Sequence, residues 1–362
     1  MDQINILNMS SNLNLSLDRI ASISPRLHVI DAKDKFNQEI RETWAPETVN
    51  RLLPPADESE ASQSESEREK GRKERDSLMA QADIVCIGYP YPLDIATRGS
   101  RLKWVHQTVA GASNLRFGDL HHNNSIVITT SRGYSGKLPI AEYVIAAALT
   151  VTKELPRAVM DKPKRSVRRQ DYHLRLLQGK TMGIVGLGGI GGEVARLARA
   201  LGMRVLATRR SASARTDSVD GVDTLFPTQE MDVMLADSDF VAVCAQHTPE
   251  TEGMIGEAQF RAMKPTAYFI NIARGELVDE DAMIRALREG WIAGAILDVH
   301  ADSATKSPPD DFWDLPNLIL TPHVSGGSDV PRYEGIEFFY ENLTRFVSGR
   351  ELLNVIDWER GY

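Results

Sequence analysis

Cysteine is scarce: only Cys86 and Cys244 occur in 362 residues, and each lies inside an apolar run that reads as a buried strand. A disulfide framework or a thiolate metal cluster needs more cysteines at set spacings, so the two are read as inert core thiols and no metal site is expected. Long apolar runs are missing as well. No uninterrupted stretch approaches the ~18 residues needed to span a bilayer, and residues 1–20 lack the basic start and apolar middle of a secretory leader. A cytoplasmic location with no membrane partner is the expectation. Positive charge is in deficit too, with 42 Lys and Arg against 50 Asp and Glu and a formal net charge of −8. Nucleic acids and anionic membrane surfaces are held by basic faces, so no nucleic-acid partner is expected. Anionic ligands must then be met by local positive sites.

What is present is apolar material, 42% of the residues, in a chain whose length suggests two domains. The clearest break in composition runs over 54–76, where Glu, Arg, Lys and Ser alternate with almost nothing apolar. Such a stretch buries too little to offset its ordering entropy, so it reads as a charged surface insertion or a solvated helix. Around it lie short β-type runs at 27–30, 83–88, 102–107 and 126–129, which suggest a small parallel α/β unit. Residues 139–155 read as a largely apolar helix, and a basic stretch at 162–175 leads to a second series. There the strands are placed at 181–185, 204–207, 240–245, 267–272, 293–299 and 318–321, alternating with helical patterns such as 192–201 and 280–289. That alternation predicts an α/β fold with a doubly wound parallel sheet, ligands meeting the carboxyl ends of its strands. A last helix is expected over 332–347.

The run Gly186-Leu187-Gly188-Gly189-Ile190-Gly191 follows a strand pattern and opens a helix, the context in which G-x-G-x-x-G carries weight. Gly186 allows the tight turn, Gly188 lets the backbone approach a pyrophosphate, and Gly191 permits close helix–strand packing. Gly189 and Ile190 bring first-turn N–H groups to the same anion. At the end of the next strand a dinucleotide site usually has Asp or Glu for the ribose 2′-hydroxyl, but here the chain reads Thr208-Arg209-Arg210-Ser211. Two guanidiniums and a hydroxyl suit a 2′-phosphate, so the expected cofactor is NADP rather than NAD. Against this, paired arginines after a strand are often merely solvated.

Four segments in order, Lys180 to Gly186, Ile270-Asn271-Ile272-Ala273-Arg274-Gly275, Leu297-Asp298-Val299 and Thr321-Pro322-His323, closely resemble the D-isomer-specific 2-hydroxyacid dehydrogenases. The likeness covers residues 102–325 and is faint before that. It implies a Rossmann cofactor domain, 137–330, inserted into a smaller flavodoxin-like α/β substrate domain made of 1–136 with 331–362. It also implies a homodimer, which the apolar helix around 141–151 could support, and a 2-keto or 2-hydroxy acid as the small-molecule partner.

Such a substrate has a carboxylate to hold, a carbonyl to polarise and an alkoxide to protonate. Arg274 offers a planar fork at a strand's carboxyl end for the first two tasks, and His323 is the only side chain of the matched segments that exchanges a proton near neutral pH. By the resemblance, the turn Val109-Ala110-Gly111-Ala112 meets the substrate carboxylate through backbone N–H groups, and Asp298 touches the nicotinamide amide; its ordinary alternative is a strand-end cap. Arg274, Ala245 and Ile272 are further cofactor contacts. Tyr89 and Tyr91, flanking Pro90, either line a pocket for a bulkier acid or simply pack. Two departures stand out. Where the family carries a Glu that charges its histidine, the ungapped match gives Ser303, preceded by Asp302; a serine hydrogen-bonds an imidazole but does not stabilise imidazolium as a carboxylate does. Gln246-His247 replaces the family's usual Pro-Leu. The missing Glu leaves open an alternative, a nicotinamide-binding sensor or interaction protein of the same fold with weak or no turnover.

Overall fold

The computed structural model describes residues 3–11, 13–56, 63–166, 168–303, 306–329 and 333–360. Two units emerge: Met1–Ser135 with Ala304–Lys306 and Val330–Tyr362, and Gly136–Ser303 with Ser307–Asp329.

In the first unit the strands β1 (Ile4–Asn8), β2 (Leu27–Asp31), β3 (Ile84–Ile87), β4 (Trp104–Gln107) and β5 (Val127–Thr130) form one sheet in the order β2-β1-β3-β4-β5. All of its neighbours are parallel. β1 is absent from the sequence reading because its five residues, Ile-Asn-Ile-Leu-Asn, mix polar and apolar side chains without clear alternation; the first Asn is only half-buried and the last is buried at the sheet's carboxyl end. Within the charged stretch 54–76, a helix begins and runs over Glu65–Gln81. Ser64 and Glu67 close a capping box at its start, the Ser64 N–H donating to Glu67 at 2.8 Å. Its Met79 is fully buried, and its Arg75 donates to Glu39 at 3.0 Å, so one stripe of an otherwise solvated helix is anchored. Residues 57–62 lie outside the described ones.

The last helix, Tyr333–Val347, covers the other face of this sheet, with Phe339, Tyr340 and Leu343 buried among Ile4, Ile6, Cys86 and Trp104. Trp104 stacks on Phe339 at 5.4 Å and on Phe346 at 5.6 Å between ring centroids. Beneath them the buried His106 ring lies between the hydroxyls of Thr129 and Ser131, and burial pulls its pKa down to about 3. It is a neutral core histidine.

The second unit contains β6 (Thr181–Val185), β7 (Arg204–Thr208), β8 (Thr216–Val219), β9 (Val222–Phe226), β10 (Phe240–Val243), β11 (Tyr268–Asn271), β12 (Gly294–Leu297) and β13 (Leu318–Leu320), ordered β13-β12-β11-β10-β6-β7-β9-β8. Every neighbouring pair is parallel except β8 with β9. The chain enters at β6, winds outward through β7 and returns to β10 on the opposite side, so β6 and β10 flank the point where strand order reverses. Strands buried on both faces need apolar cover on each. Helices Met231–Asp237, Glu257–Ala262 and Glu280–Arg288 bury one face, while Lys137–Thr152 and Gly189–Ala200 bury the other. The α/β, doubly wound reading therefore holds, with helix boundaries shifted by at most three residues.

The hairpin β8–β9 is absent from the sequence reading because Thr-Asp-Ser-Val carries a single apolar residue on an outer edge. Its turn signal, Asp220-Gly221 between paired Val219 and Val222, was available. A second difference concerns the apolar helix Lys137–Thr152: Ala141, Val144, Ile145, Ala148 and Val151 are consumed by the unit's own core. Exposed apolar side chains lie just beyond it, at Leu155, Val159, Met160, Leu174 and Leu176.

Phe339→Ala removes a ring with no exposed surface that ties the last helix to β4, so a loss of about 3–5 kcal/mol is expected on chemical denaturation. A change below about 1 kcal/mol would show that the helix is not held through this contact.

Candidate active site

Gly186 directly follows β6 with φ +99°, and a Cβ built on it would lie 2.8 Å from the Ala245 backbone. Only glycine fits that approach of the β6 and β10 ends. A Cβ on Gly191 would strike the Gly186 carbonyl oxygen, which is the close helix–strand packing the motif requires. On Gly188 it would meet nothing within 4 Å. The turn is thus closed on its protein side and open where a pyrophosphate approaches, and the first-turn N–H groups of Gly189–Ala200 have no intrahelical acceptor. These residues fit a dinucleotide.

The turn is tied to the next strand, since Leu187 N–H donates to the Thr208 carbonyl at 2.8 Å and Gly186 N–H to the Thr208 hydroxyl at 3.2 Å. Arg209 follows directly. Its Nε donates to the Leu187 carbonyl at 3.1 Å and its Nη1 to Asp220 Oδ2 at 2.6 Å, so one guanidinium leans on the glycine turn and on the β8–β9 hairpin. Arg210 and Ser211 are exposed, with Glu250 3.8 Å from Arg210. Ala245 and Ile272 sit at the ends of β10 and β11, half-buried and buried. Burial pushes the neighbouring Cys244 thiol up to about 12, an inert group.

Three strand ends are chained together at the other side of the sheet. Asn271 Nδ2 donates to the Arg274 carbonyl at 2.9 Å, Asp298 N–H to the Asn271 carbonyl at 3.0 Å, and His323 N–H to the Asp298 carbonyl at 2.9 Å. The ends of β11, β12 and β13 thereby register Arg274, Asp298 and His323 side by side. His323 is exposed and holds φ +58°, a left-handed conformation that costs a non-glycine residue about 1 kcal/mol or more. The Asp298 carboxylate, 1% exposed, supports it: Oδ1 accepts from the Thr321 hydroxyl at 2.6 Å and Val324 N–H at 2.9 Å, Oδ2 from Ser325 N–H at 2.8 Å. Because the one Thr321 proton goes to Asp298, the Tyr143 hydroxyl, 2.6 Å away, donates to Thr321. Burial, with the Asp298 charge adding to it, raises the Tyr143 pKa and keeps it a donor.

The Ser303 segment is held from below. A Cβ on Gly275 would overlap the His300–Ala301 peptide, so the 300–303 turn rests on the backbone next to Arg274. Glu280 accepts the Ala301 N–H at 2.6 Å and Glu276 the Asp302 N–H at 3.1 Å. Burial raises the Glu280 pKa, and the charges of Glu276, Asp281 and Asp302 add to the shift. Ser303 is buried and donates its N–H to the His300 carbonyl at 3.0 Å; Asp302 is exposed with φ +54°. Among the described residues no group of three or more His, Cys, Asp and Glu is placed to hold a metal ion, and no helix is long and apolar enough to cross a membrane.

The family model described as "D-isomer specific 2-hydroxyacid dehydrogenase, NAD binding domain" matches residues 145–325, half of the chain. The chain belongs to this family. The glyoxylate reductase of Thermococcus onnurineus is 39% identical over 185 residues, which cover 49% of this chain and 54% of that protein. The chain thus spans about half the length of the relatives it matches. Two solved structures share the fold end to end. A family protein from Aeromonas salmonicida has a TM-score of 0.75 at 24% identity, covering 99% of this chain and all of that one. An NADPH-dependent glyoxylate/hydroxypyruvate reductase from Sinorhizobium meliloti, in complex with NADP and sulfate, has 0.72 at 23%, with coverage of 99% and 100%.

The remaining candidates lie in the first unit. The Gly111 carbonyl accepts from Gln107 Nε2 at 3.1 Å, and Ala110 and Gly111 are half-buried beyond the end of β4. Tyr89 packs edge-on against Trp44 at 5.3 Å and stays half-buried, whereas Tyr91 is buried with its hydroxyl donating to the Asn114 carbonyl at 2.8 Å. Tyr91 is packing. Tyr143 and Asp220 are absent from the sequence reading, because each acts through a partner that the fold brings near, Thr321 and Arg209.

Asp298→Asn keeps the side chain's shape but presents an NH2 group to donors, leaving at least one of Thr321, Val324 and Ser325 without an acceptor. A loss of roughly 2–3 kcal/mol is expected on denaturation, and a loss below about 0.5 kcal/mol would mean the 321–325 loop does not depend on this carboxylate.

Proposed function

We propose that the protein is an NADP-dependent oxidoreductase that interconverts a small 2-keto acid and the corresponding 2-hydroxy acid. The observation that carries the reading is the chained placement of Arg274, Asp298 and His323 at adjacent strand ends, in the same unit as the open glycine turn. The many glyoxylate reductases among its relatives support a small acid as substrate. Arg209 and Arg210, in place of the usual carboxylate, support the 2′-phosphate.

When bound, the reduced nicotinamide supplies a hydride to the carbonyl carbon. The protein's own groups do the rest. The glycine turn and the first helical turn after it hold the pyrophosphate. Arg274 holds the substrate carboxylate and draws electron density onto the carbonyl oxygen, and His323 delivers a proton to that oxygen as charge develops there. Tyr143, Thr321 and Asp298 keep the imidazole's backbone in place. In the ungapped match Ser303, preceded by Asp302, holds the sequence position of the family's Glu. We propose a homodimer in the cytoplasm, with Leu155, Val159, Met160, Leu174 and Leu176 as the available apolar face.

The test is oxidation of NADPH, followed by absorbance, with glyoxylate, hydroxypyruvate and larger 2-keto acids. Wild type should turn over at least one of them. Arg274→Ala should lose roughly 3 kcal/mol of transition-state stabilisation in kcat/KM while binding NADPH within a few fold of wild type. Full activity in Arg274→Ala would exclude the arginine from the site; no turnover with any acid alongside tight NADPH binding would favour a sensor of the same fold.

A further inference from the structure

The Arg209 guanidinium touches the glycine turn at the Leu187 carbonyl, and a carboxylate already touches it. Asp220 comes from the two-residue turn Asp220-Gly221 of the β8–β9 hairpin, where both residues have positive φ, 52° and 78°. Hairpins close on such turns because the backbone twist matches the strands. The turn projects the Asp220 carboxylate to 2.6 Å from Arg209 Nη1, while Nε is held by the Leu187 carbonyl inside the glycine turn. The hairpin therefore supplies an acid at the cofactor's ribose end, although no acid ends β7.

We propose that Asp220 is a cofactor-specificity residue: it restrains the preference for NADPH by competing for Arg209 with the 2′-phosphate, and it offers the 2′-hydroxyl of NADH an acceptor. The inference rests on the reading of Arg209 as the 2′-phosphate contact. A phosphate gripping this guanidinium must displace the carboxylate or share the arginine with it, with like charges a few ångströms apart. The same carboxylate is the group that strand-end acids use for a ribose hydroxyl. With 34% of the Arg209 side chain and 47% of Asp220 exposed, water screens the repulsion, so the effect is a moderate bias and not exclusion of either cofactor. In the absence of phosphate, the pair also keeps Arg209 folded against the turn.

The test is equilibrium titration of NADPH and NADH into the full chain, followed by nicotinamide fluorescence, for wild type, Asp220→Asn, Asp220→Gly and Arg209→Ala. Asparagine and glycine both accept the left-handed backbone at this position, and thermal melts check that each variant is folded. Both Asp220 variants should bind NADPH about tenfold more tightly, 1.4 kcal/mol, with NADH unchanged or weaker, and the gain should shrink as salt rises. Arg209→Ala should lose most of the NADPH affinity. If the Asp220 variants bind NADPH no better than wild type while Arg209→Ala loses it, the specificity role of Asp220 is overturned and the NADP reading stands. If Arg209→Ala leaves NADPH affinity unchanged, Arg209 is not the phosphate contact and both fall.

Discussion

A buried carboxylate on an α/β sheet is costly unless its oxygens are filled, and Asp298 is filled by the segment that carries His323. Three donors from Thr321, Val324 and Ser325 converge on it, and its own peptide groups reach Asn271 on one side and His323 on the other. The left-handed backbone of His323 persists because this arrangement leaves the loop no cheaper alternative. Arg274 is fixed through Asn271, and Tyr143 closes the set from a helix packed against the sheet. The backbone placement of the proposed proton donor is therefore a property of strand register. A carboxylate so engaged acts first as a cap for the loop, whatever further contact it offers a nicotinamide.

The opposite side of the same sheet handles charge. A chain with a net charge of −8 gains little from its overall field when it binds an anion, so local donors decide the matter. The open glycine turn provides backbone N–H groups, and Arg209 provides the cation, steadied by a carbonyl and a carboxylate. Acids outnumber bases around the 300–303 turn as well, where Glu276 and Glu280 accept backbone N–H groups. Those acids serve the shape of the turn, which must clear Gly275 to lie beside Arg274.

The parts legible in the sequence were those set by local patterns. Buried parallel strands announce themselves as apolar runs, the G-x-G-x-x-G turn needs its glycines for steric reasons, and Arg274 and His323 lie in short motifs. β1 and the β8–β9 hairpin escaped because an edge strand such as Thr216–Val219 and a mixed strand such as Ile4–Asn8 bear no periodic signal. Asp220 and Tyr143 escaped for a different reason: their roles depend on partners brought near only by the sheet, Arg209 and Thr321. The homodimer expected from helix 141–151 rests on an apolar run, and such a run does not reveal what covers it: much of this helix packs into its own unit's core.

In the proposed reaction one unit presents a reduced nicotinamide and a proton-delivering histidine to a 2-keto acid. The most direct measurement uses NADPH deuterated at the transferable C4 position, with the best 2-keto acid as substrate and mass and chiral analysis of the product. The expected product is a D-configured 2-hydroxy acid with one deuterium at C2. A product without deuterium, or an L-configured one, would contradict the proposed reaction.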